Sequence, residues 1–376
     1  MNQFQVFINK FKIILITLCF LFLTNSYFNY DESLIYGAAD ILHYYKIALA
    51  APELPDKVIG YHYSQRFFAP YIIGIISKLI NLNIIYVARI FVVIVLFIQI
   101  FYILKINKLI KVNEKNNILS ILIILLNPYS FRYYLSNPMM IQDFIFQLCF
   151  ILLVYFFLKG NKIKLILITF ASFFFRQTSI SFILSFLIIH IYNKKKFKNK
   201  EISLLILLFI FSFFIISSVS KEISINNIFP YEHITGLYYW LINDFNTIKL
   251  ILFILLPLIS YLPLIIFKIF FKAQNVNFRD TFLLFIIIAS LIIFLQPIVA
   301  GPHITGKNII RLTSLAFPAL VILCNYHIIQ SNTFSIYQKI FFKLYPVLLI
   351  VWSLHPKYSN IGFYFFKNYN FFSNIF

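Results

Sequence analysis

Apolar residues come in long runs along this chain, each closed by a short polar stretch that is usually rich in lysine. Runs with the character of membrane-crossing helices lie near 12–28, 84–104, 118–134, 144–158, 164–175, 178–192, 202–219, 248–271, 281–298, 309–329 and 337–353. A helix needs ~20 apolar residues to cross a bilayer at 1.5 Å per residue, and several of these runs are shorter. Two stretches are ambiguous: the short run Phe67–Asn81, and Ile163–Tyr192, which reads as one helix or as two broken at Arg176. The first run, behind Lys10 and Lys12, resembles a signal peptide but lacks a small-residue cleavage site before Tyr27 and Phe28. It reads as an uncleaved first helix.

Composition agrees with the pattern. Of 376 residues 61% are hydrophobic and 12% charged, against ~45–50% and ~25% in soluble domains. So little charge cannot cover a water-facing surface, so lipid is the expected solvent. The net charge of +20 does not imply a nucleic-acid partner, because no soluble basic domain is present to hold one. Cys19, Cys149 and Cys324 each lie in an apolar run with no shared spacing and read as packed thiols.

Lysine placement resolves the ambiguous runs. Lys105, Lys108, Lys111 and Lys115 form one basic loop, and Lys159, Lys162 and Lys164 a second. Lys194, Lys195, Lys196, Lys198 and Lys200 form a third, and Lys268, Lys272 and Arg279 a fourth. All four join Lys10 and Lys12 on one side if 67–81 does not cross and 163–192 is two short helices. The positive-inside rule makes that side cytoplasmic. The expected fold is an all-α polytopic transmembrane bundle of eleven spans, within a range of ten to twelve, its N-terminus cytoplasmic, in one domain over 1–376. The plasma membrane, in a bacterium the inner one, is the expected location. The long outside loops are about 29–83, with a helical juxtamembrane part, and 220–247. Of the 12 acidic residues only Glu114, Glu201 and Asp280 fall inside, so the outside face is where chemistry is sought.

Asp31, Glu32 and Asp40 lie within ten residues of one another just after the first helix. If 33–48 is helical, Tyr36, Asp40, His43 and Ile47 share a face. Carboxylates at a membrane surface act as general bases or metal ligands, and the same acids with His43 leave a divalent cation open as a partner. Plain surface acids on an interfacial helix explain the spacing equally well. Arg66 stands before a short apolar run, where its planar donors suit phosphate or lipid headgroups. Asn127-Pro128 and Asn137-Pro138 bracket Arg132, and Asp143 opens the following run. Arg176 interrupts about thirty apolar residues, and an unpaired charge there costs roughly 2.5–3.5 kcal/mol on insertion scales. His303, Lys307 and Arg311 follow a Gly-Pro turn at another outside edge.

These residues resemble the GT-C type membrane glycosyltransferases, which use polyprenyl-phosphate-linked sugars. Asp31-Glu32 matches the family's acidic position beyond the first helix, and Asp143 resembles its second outside acid. Asp40, Tyr44, Tyr45 and Ala48, followed by Tyr63, Arg66 and Pro70, look like a pattern common among members. Arg176-Gln177-Thr178 is similar to an Arg-Glu-Thr between two short helices, with Gln in place of Glu, and Asn308, Arg311 and Pro318 look like a late signature. The resemblance implies transfer of a sugar from a polyprenyl-phosphate carrier to a glycan, lipid or protein acceptor outside the cytoplasm. It assigns Asp31, Asp40 or Glu32 to catalysis and Arg66, Arg176 and Arg311 to the donor phosphate. Tyr44, Tyr45, Asp143, Gln177, His303 and Lys307 are supporting residues. The rival readings are a lipid-linked polysaccharide polymerase or ligase, and a polytopic transporter or flippase. A transporter is expected to show paired broken helices in two halves, and only the break at Arg176 is evident.

Overall fold

A computed structural model of the chain describes residues 3–28, 40–112, 114–193, 197–225, 232–243, 246–270, 280–301, 305, 308–328, 336–355 and 359. Every regular element among them is helical, with two isolated β-bridges between loops. The protein is an α-helical membrane protein. Among the described residues six helical segments are long and apolar enough to cross a bilayer: Ile84–Leu109, Asn116–Ser136, Pro138–Leu158, Asn199–Ile223, Thr281–Val299 and Ile309–Tyr326. Shorter apolar helices stand among them.

The chain shuttles between two ends of the bundle. Helix α1 (Gln3–Thr24) leads to a group of short helices, α2 (Asp40–Ala50), α3 (Tyr61–Ser64) and α4 (Phe68–Ile80). Helix α5 (Ile84–Leu109) then runs to the lysine-rich end and α6 (Glu114–Leu126) returns. A tight turn and α7 (Tyr133–Ser136) precede α8 (Ile141–Leu158). The run 163–192 is broken into α9 (Lys162–Phe173) and α10 (Ile180–Tyr192), with extended backbone at Arg176. Then come α11 (Asn199–Ile223), α12 (Glu232–Asn243), α13 (Thr247–Phe270), α14 (Thr281–Val299), α15 (Ile309–Thr313), α16 (Phe317–Ile328) and α17 (Ile336–Ser353).

Hydrogen bonds mark which turns share an end. At the lysine end Lys162 pairs with Glu201 at 2.9 Å, and Tyr326 donates to Asp280 at 3.2 Å. Asn325 there joins α16 to α5 and α6, donating to Asn107 at 3.3 Å and Ser120 at 2.5 Å. At the opposite end Arg132 donates to the carbonyl and hydroxyl of Thr24, where α1 stops (3.1 and 2.9 Å). Its charge there suits the negative end of the helix dipole. Tyr129 meets His355 at 3.0 Å, and the Ile59 and Ile223–Ile225 backbones exchange hydrogen bonds at this same end.

Helix surfaces divide between lipid and core. On α5 the exposed Ile90, Ile94, Phe97 and Phe101 form a stripe, while Val92, Leu96, Gln99, Ile103 and Ile106 are buried. A helix apolar on both faces needs an apolar solvent on the outer one. Inside, the near-parallel rings of Phe157, Phe186 and Phe285 knit α8, α10 and α14 together, with centroids 4.9 to 6.4 Å apart. Pro257 and Pro263 interrupt α13, and neighbouring side chains take carbonyls of this helix: Asn127 binds that of Ser260 at 3.1 Å and Tyr345 that of Pro263 at 2.7 Å.

Helices α2 and α4 touch through backbone. A Cβ added to Gly74 of α4 would lie 2.1 Å from the Ala48 carbonyl oxygen of α2. Gly74→Ala therefore forces the two helices apart, and overpacking of this kind costs about 1–3 kcal/mol. The expected result is a lower midpoint of thermal aggregation in detergent for Gly74→Ala, with Gly160→Ala, strained only by its own φ of +66°, less affected.

Candidate functional site

At the end opposite the lysines, polar side chains from five separate elements close into a ring. Asp143, in the first turn of α8 and 0% exposed, sits between two arginines. One carboxylate oxygen accepts from Arg176 in a very short contact, and the other from Arg311 of α15 at 2.9 Å. Both arginines are buried as well, at 3% and 5% exposure. Arg176 also donates to Thr178 at 3.1 Å, and Arg311 lies 3.8 Å from the Met140 sulfur and 5.6 Å from the Tyr133 ring centre. Two cations on one buried carboxylate leave a positive excess.

The neighbouring residue continues the ring. Gln177 accepts from Arg66 Nε at 3.3 Å through its side-chain oxygen and donates to the Gln65 carbonyl at 2.9 Å. These two contacts fix which way the amide faces. Arg66 Nη1 donates to the Tyr44 hydroxyl of α2 at 3.3 Å. Among the described residues Arg66 therefore hydrogen-bonds to neutral groups only, with the Asp143 charge acting on it from further off, and its side chain is partly buried. One helical turn before Tyr44, Asp40 accepts from Tyr63 in a short hydrogen bond and from Asn308 Nδ2 at 3.0 Å. Asn308 stands three residues before Arg311, which closes the circuit. Burial first, and then the Asp40 charge, push the Tyr63 phenol far above its ordinary value, so Tyr63 remains a donor to Asp40.

The ring lies within the bundle, below the far end of α11. Helices α9 and α11 start level at the Lys162–Glu201 pair, and α9 ends where the Phe173 and Phe209 rings meet at 4.9 Å. From Phe209, α11 runs on to Ile223, about 20 Å further at 1.5 Å per residue. Arg176 follows directly after α9 ends. Phe68, Phe174 and Phe175, all partly exposed, cluster beside it with ring centres 5.5 and 5.8 Å from Phe68.

The structure thus brings together Asp40, Tyr44, Arg66, Asp143, Arg176, Gln177 and Arg311 of the residues singled out in the sequence. Tyr45 instead packs against the apolar core. Asp31, Glu32, His303 and Lys307 lie outside the described residues, as does Tyr36 on the expected face with Asp40, His43 and Ile47. Sequence reasoning placed Asp143 among supporting acids but did not join it to both arginines. A lone Asp at the head of an apolar run signals a buried cationic partner, without telling which one. Among the described residues no group of three or more His, Cys, Asp or Glu is placed to hold a metal ion. Cys19 and Cys149 form no disulfide among the described residues.

His43 gives the site edge a pH dependence. Its ring stacks on Tyr63 with centroids 4.3 Å apart, and Nδ1 is 3.5 Å from the Gly60 amide. Burial, then Lys46, lower its pKa below 6.5, with Asp40 opposing. A lowered folded value means the neutral ring is favoured in the folded protein. Its stabilisation is present above pH 6.5 and is lost as pH falls through the lowered folded value. Thermal stability in detergent is expected to fall between pH 7.5 and 5 in the parent, and to fall less in His43→Gln.

Comparison with known proteins finds no matching family model, no matching curated protein and no matching solved structure.

Proposed function

We propose that this protein is a membrane glycosyltransferase that moves a sugar from a polyprenyl-phosphate carrier to an acceptor on the extracytoplasmic side. The observation that carries the reading is Arg66: a guanidinium whose hydrogen bonds among the described residues go to neutral groups only, within reach of an Asp143 charge already held by two other arginines, part-way down a lipid-facing bundle. A charge at such depth is functional by default, and a lipid-borne anion reaches it from the bilayer. The proposed topology is eleven crossings by α1, α5, α6, α8, α9, α10, α11, α13, α14, α15–α16 and α17, with the lysine end cytoplasmic. The alternation of turns between two ends and the failure of α4 to reach the lysine end support it.

In the proposed reaction Asp40 accepts the proton of an acceptor hydroxyl. Tyr63 and Asn308 each occupy one of its oxygens, and each oxygen retains a second lone pair. The acceptor oxygen then bonds to the anomeric carbon, and the bond from that carbon to the phosphate oxygen breaks. Polyprenyl phosphate leaves with the electron pair, inverting the centre. Arg66 meets the charge growing on that phosphate, while Arg176 and Arg311, already balanced in part by Asp143, add a fixed positive field. Asp31, the other candidate base, and Glu32 lie outside the described residues.

Donor binding tests the arginine assignment. A hydrogen bond to a charged partner contributes about 1.5–3 kcal/mol, so Arg66→Gln should weaken retention of a labelled polyprenyl-phosphate sugar in nanodiscs by roughly ten- to a hundredfold. Unchanged retention by a folded Arg66→Gln variant would remove Arg66 from the donor site.

A further inference from the structure

We propose that the lysine end carries a binding site for the headgroup of an anionic phospholipid, set between α5, α8 and α9. It is independent of the transferase reading and lies at the other end of the molecule.

Three rings form its floor. Tyr102 of α5 packs on Tyr155 and Phe156 of α8, with centroids 5.1 and 6.3 Å away. The Lys105 ammonium lies 4.1 Å from the Phe101 ring centre, 5.6 Å from that of Tyr102 and 6.0 Å from that of Tyr155. Lys164 of α9 lies 4.9 Å from the centre of Phe156. Aromatic faces hold an ammonium in place without neutralising it, so both charges stay available to an anion. Lys108 is one turn beyond Lys105 on α5, and Lys159 ends α8 one turn beyond Tyr155.

The local chain builds this arrangement. Gly160, at φ +66°, allows the reversal that keeps the end of α8 beside the start of α9, and the Asn161 side chain accepts from the Lys164 amide at 3.1 Å. Lys105, Lys108, Lys159 and Lys164 are exposed and have no carboxylate partner among the described residues. Lys162, by contrast, is engaged by Glu201 at 2.9 Å. Four unpaired cations round an aromatic floor match a phosphate diester by charge. The flank says which kind of anion. Phe97, Phe101, Ile163 and Leu167 are exposed apolar side chains next to these lysines, a surface for acyl chains and not for a free phosphate.

The test uses the full chain in nanodiscs of phosphatidylcholine with a minority of phosphatidylglycerol, followed by native mass spectrometry of the lipid retained after extraction into detergent. The parent protein is expected to retain phosphatidylglycerol in preference to phosphatidylcholine. The triple variant Lys105→Gln, Lys159→Gln, Lys164→Gln should lose that retention at least about tenfold. A control with the same change in charge at the other end, Lys46→Gln, Lys57→Gln, Lys78→Gln, should keep it, those lysines being exposed too. The single variants, each at the surface, should fall between, which guards against a misfolded triple. Equal losses in both triples, no preference in the parent, or displacement by millimolar inorganic phosphate would each overturn the site.

Discussion

Asp143→Asn should cost the protein about 3–5 kcal/mol of stability, the penalty for leaving a buried charge without its partner. The substitution keeps the shape of the side chain and removes the carboxylate charge that pairs with both Arg176 and Arg311. Their remaining contacts, Thr178, the Met140 sulfur and the Tyr133 ring, are neutral. The new amide nitrogen must also face one of two guanidinium groups that can only donate. Removing one orphaned cation should restore part of the loss, so Asp143→Asn with Arg176→Gln is expected to be more stable than Asp143→Asn alone. Thermal unfolding followed by size-exclusion fluorescence reads both effects. A single variant as stable as the parent would show that Asp143 is not the counter-charge that holds α8, α15 and the α9–α10 break together.

The second large effect is on chemistry. Asp40→Asn should lower sugar transfer by about 10²–10⁴-fold, the usual contribution of a positioned general base. This variant isolates basicity from architecture. The Tyr63 hydroxyl can rotate to accept instead of donate, and the Asn308 amide can turn over, so both neighbours adapt to the new side chain. Donor retention should stay within about twofold of the parent, because the phosphate is assigned to Arg66. A parallel drop in donor retention would mean that Asp40 shapes the donor site and does not serve as base.

Much of this arrangement was legible in the chain. Lysines report topology because their charge is costly to translocate, and two of the loops they mark meet at the Lys162–Glu201 pair. Arg176 was legible for a related reason: a charge among about thirty apolar residues breaks the helix pattern wherever it is placed. The elements on either side, α9 and α10, are separate helices. Pairings across the fold were not legible. Nothing in the spacing joins Asp40 to Asn308, 268 positions away, or Asp143 to Arg311, 168 away. Gly74 in α4 admits the Ala48 carbonyl, a contact that no local pattern in the chain marks. Asn107, Ser120 and Asn325, far apart in the chain, together link three helices at the lysine end. Such contacts depend on which helices become neighbours, and hydrophobic periodicity leaves that open.

The most direct measurement follows the fate of a radiolabelled polyprenyl-phosphate sugar with purified protein in liposomes, supplied with an acceptor-containing membrane extract. The account predicts that label passes to the acceptor fraction, that polyprenyl phosphate appears in equal amount, and that Asp40→Asn stops both. Label that crosses the bilayer still attached to its carrier, at the same rate in Asp40→Asn, would contradict the account and make the protein a transporter.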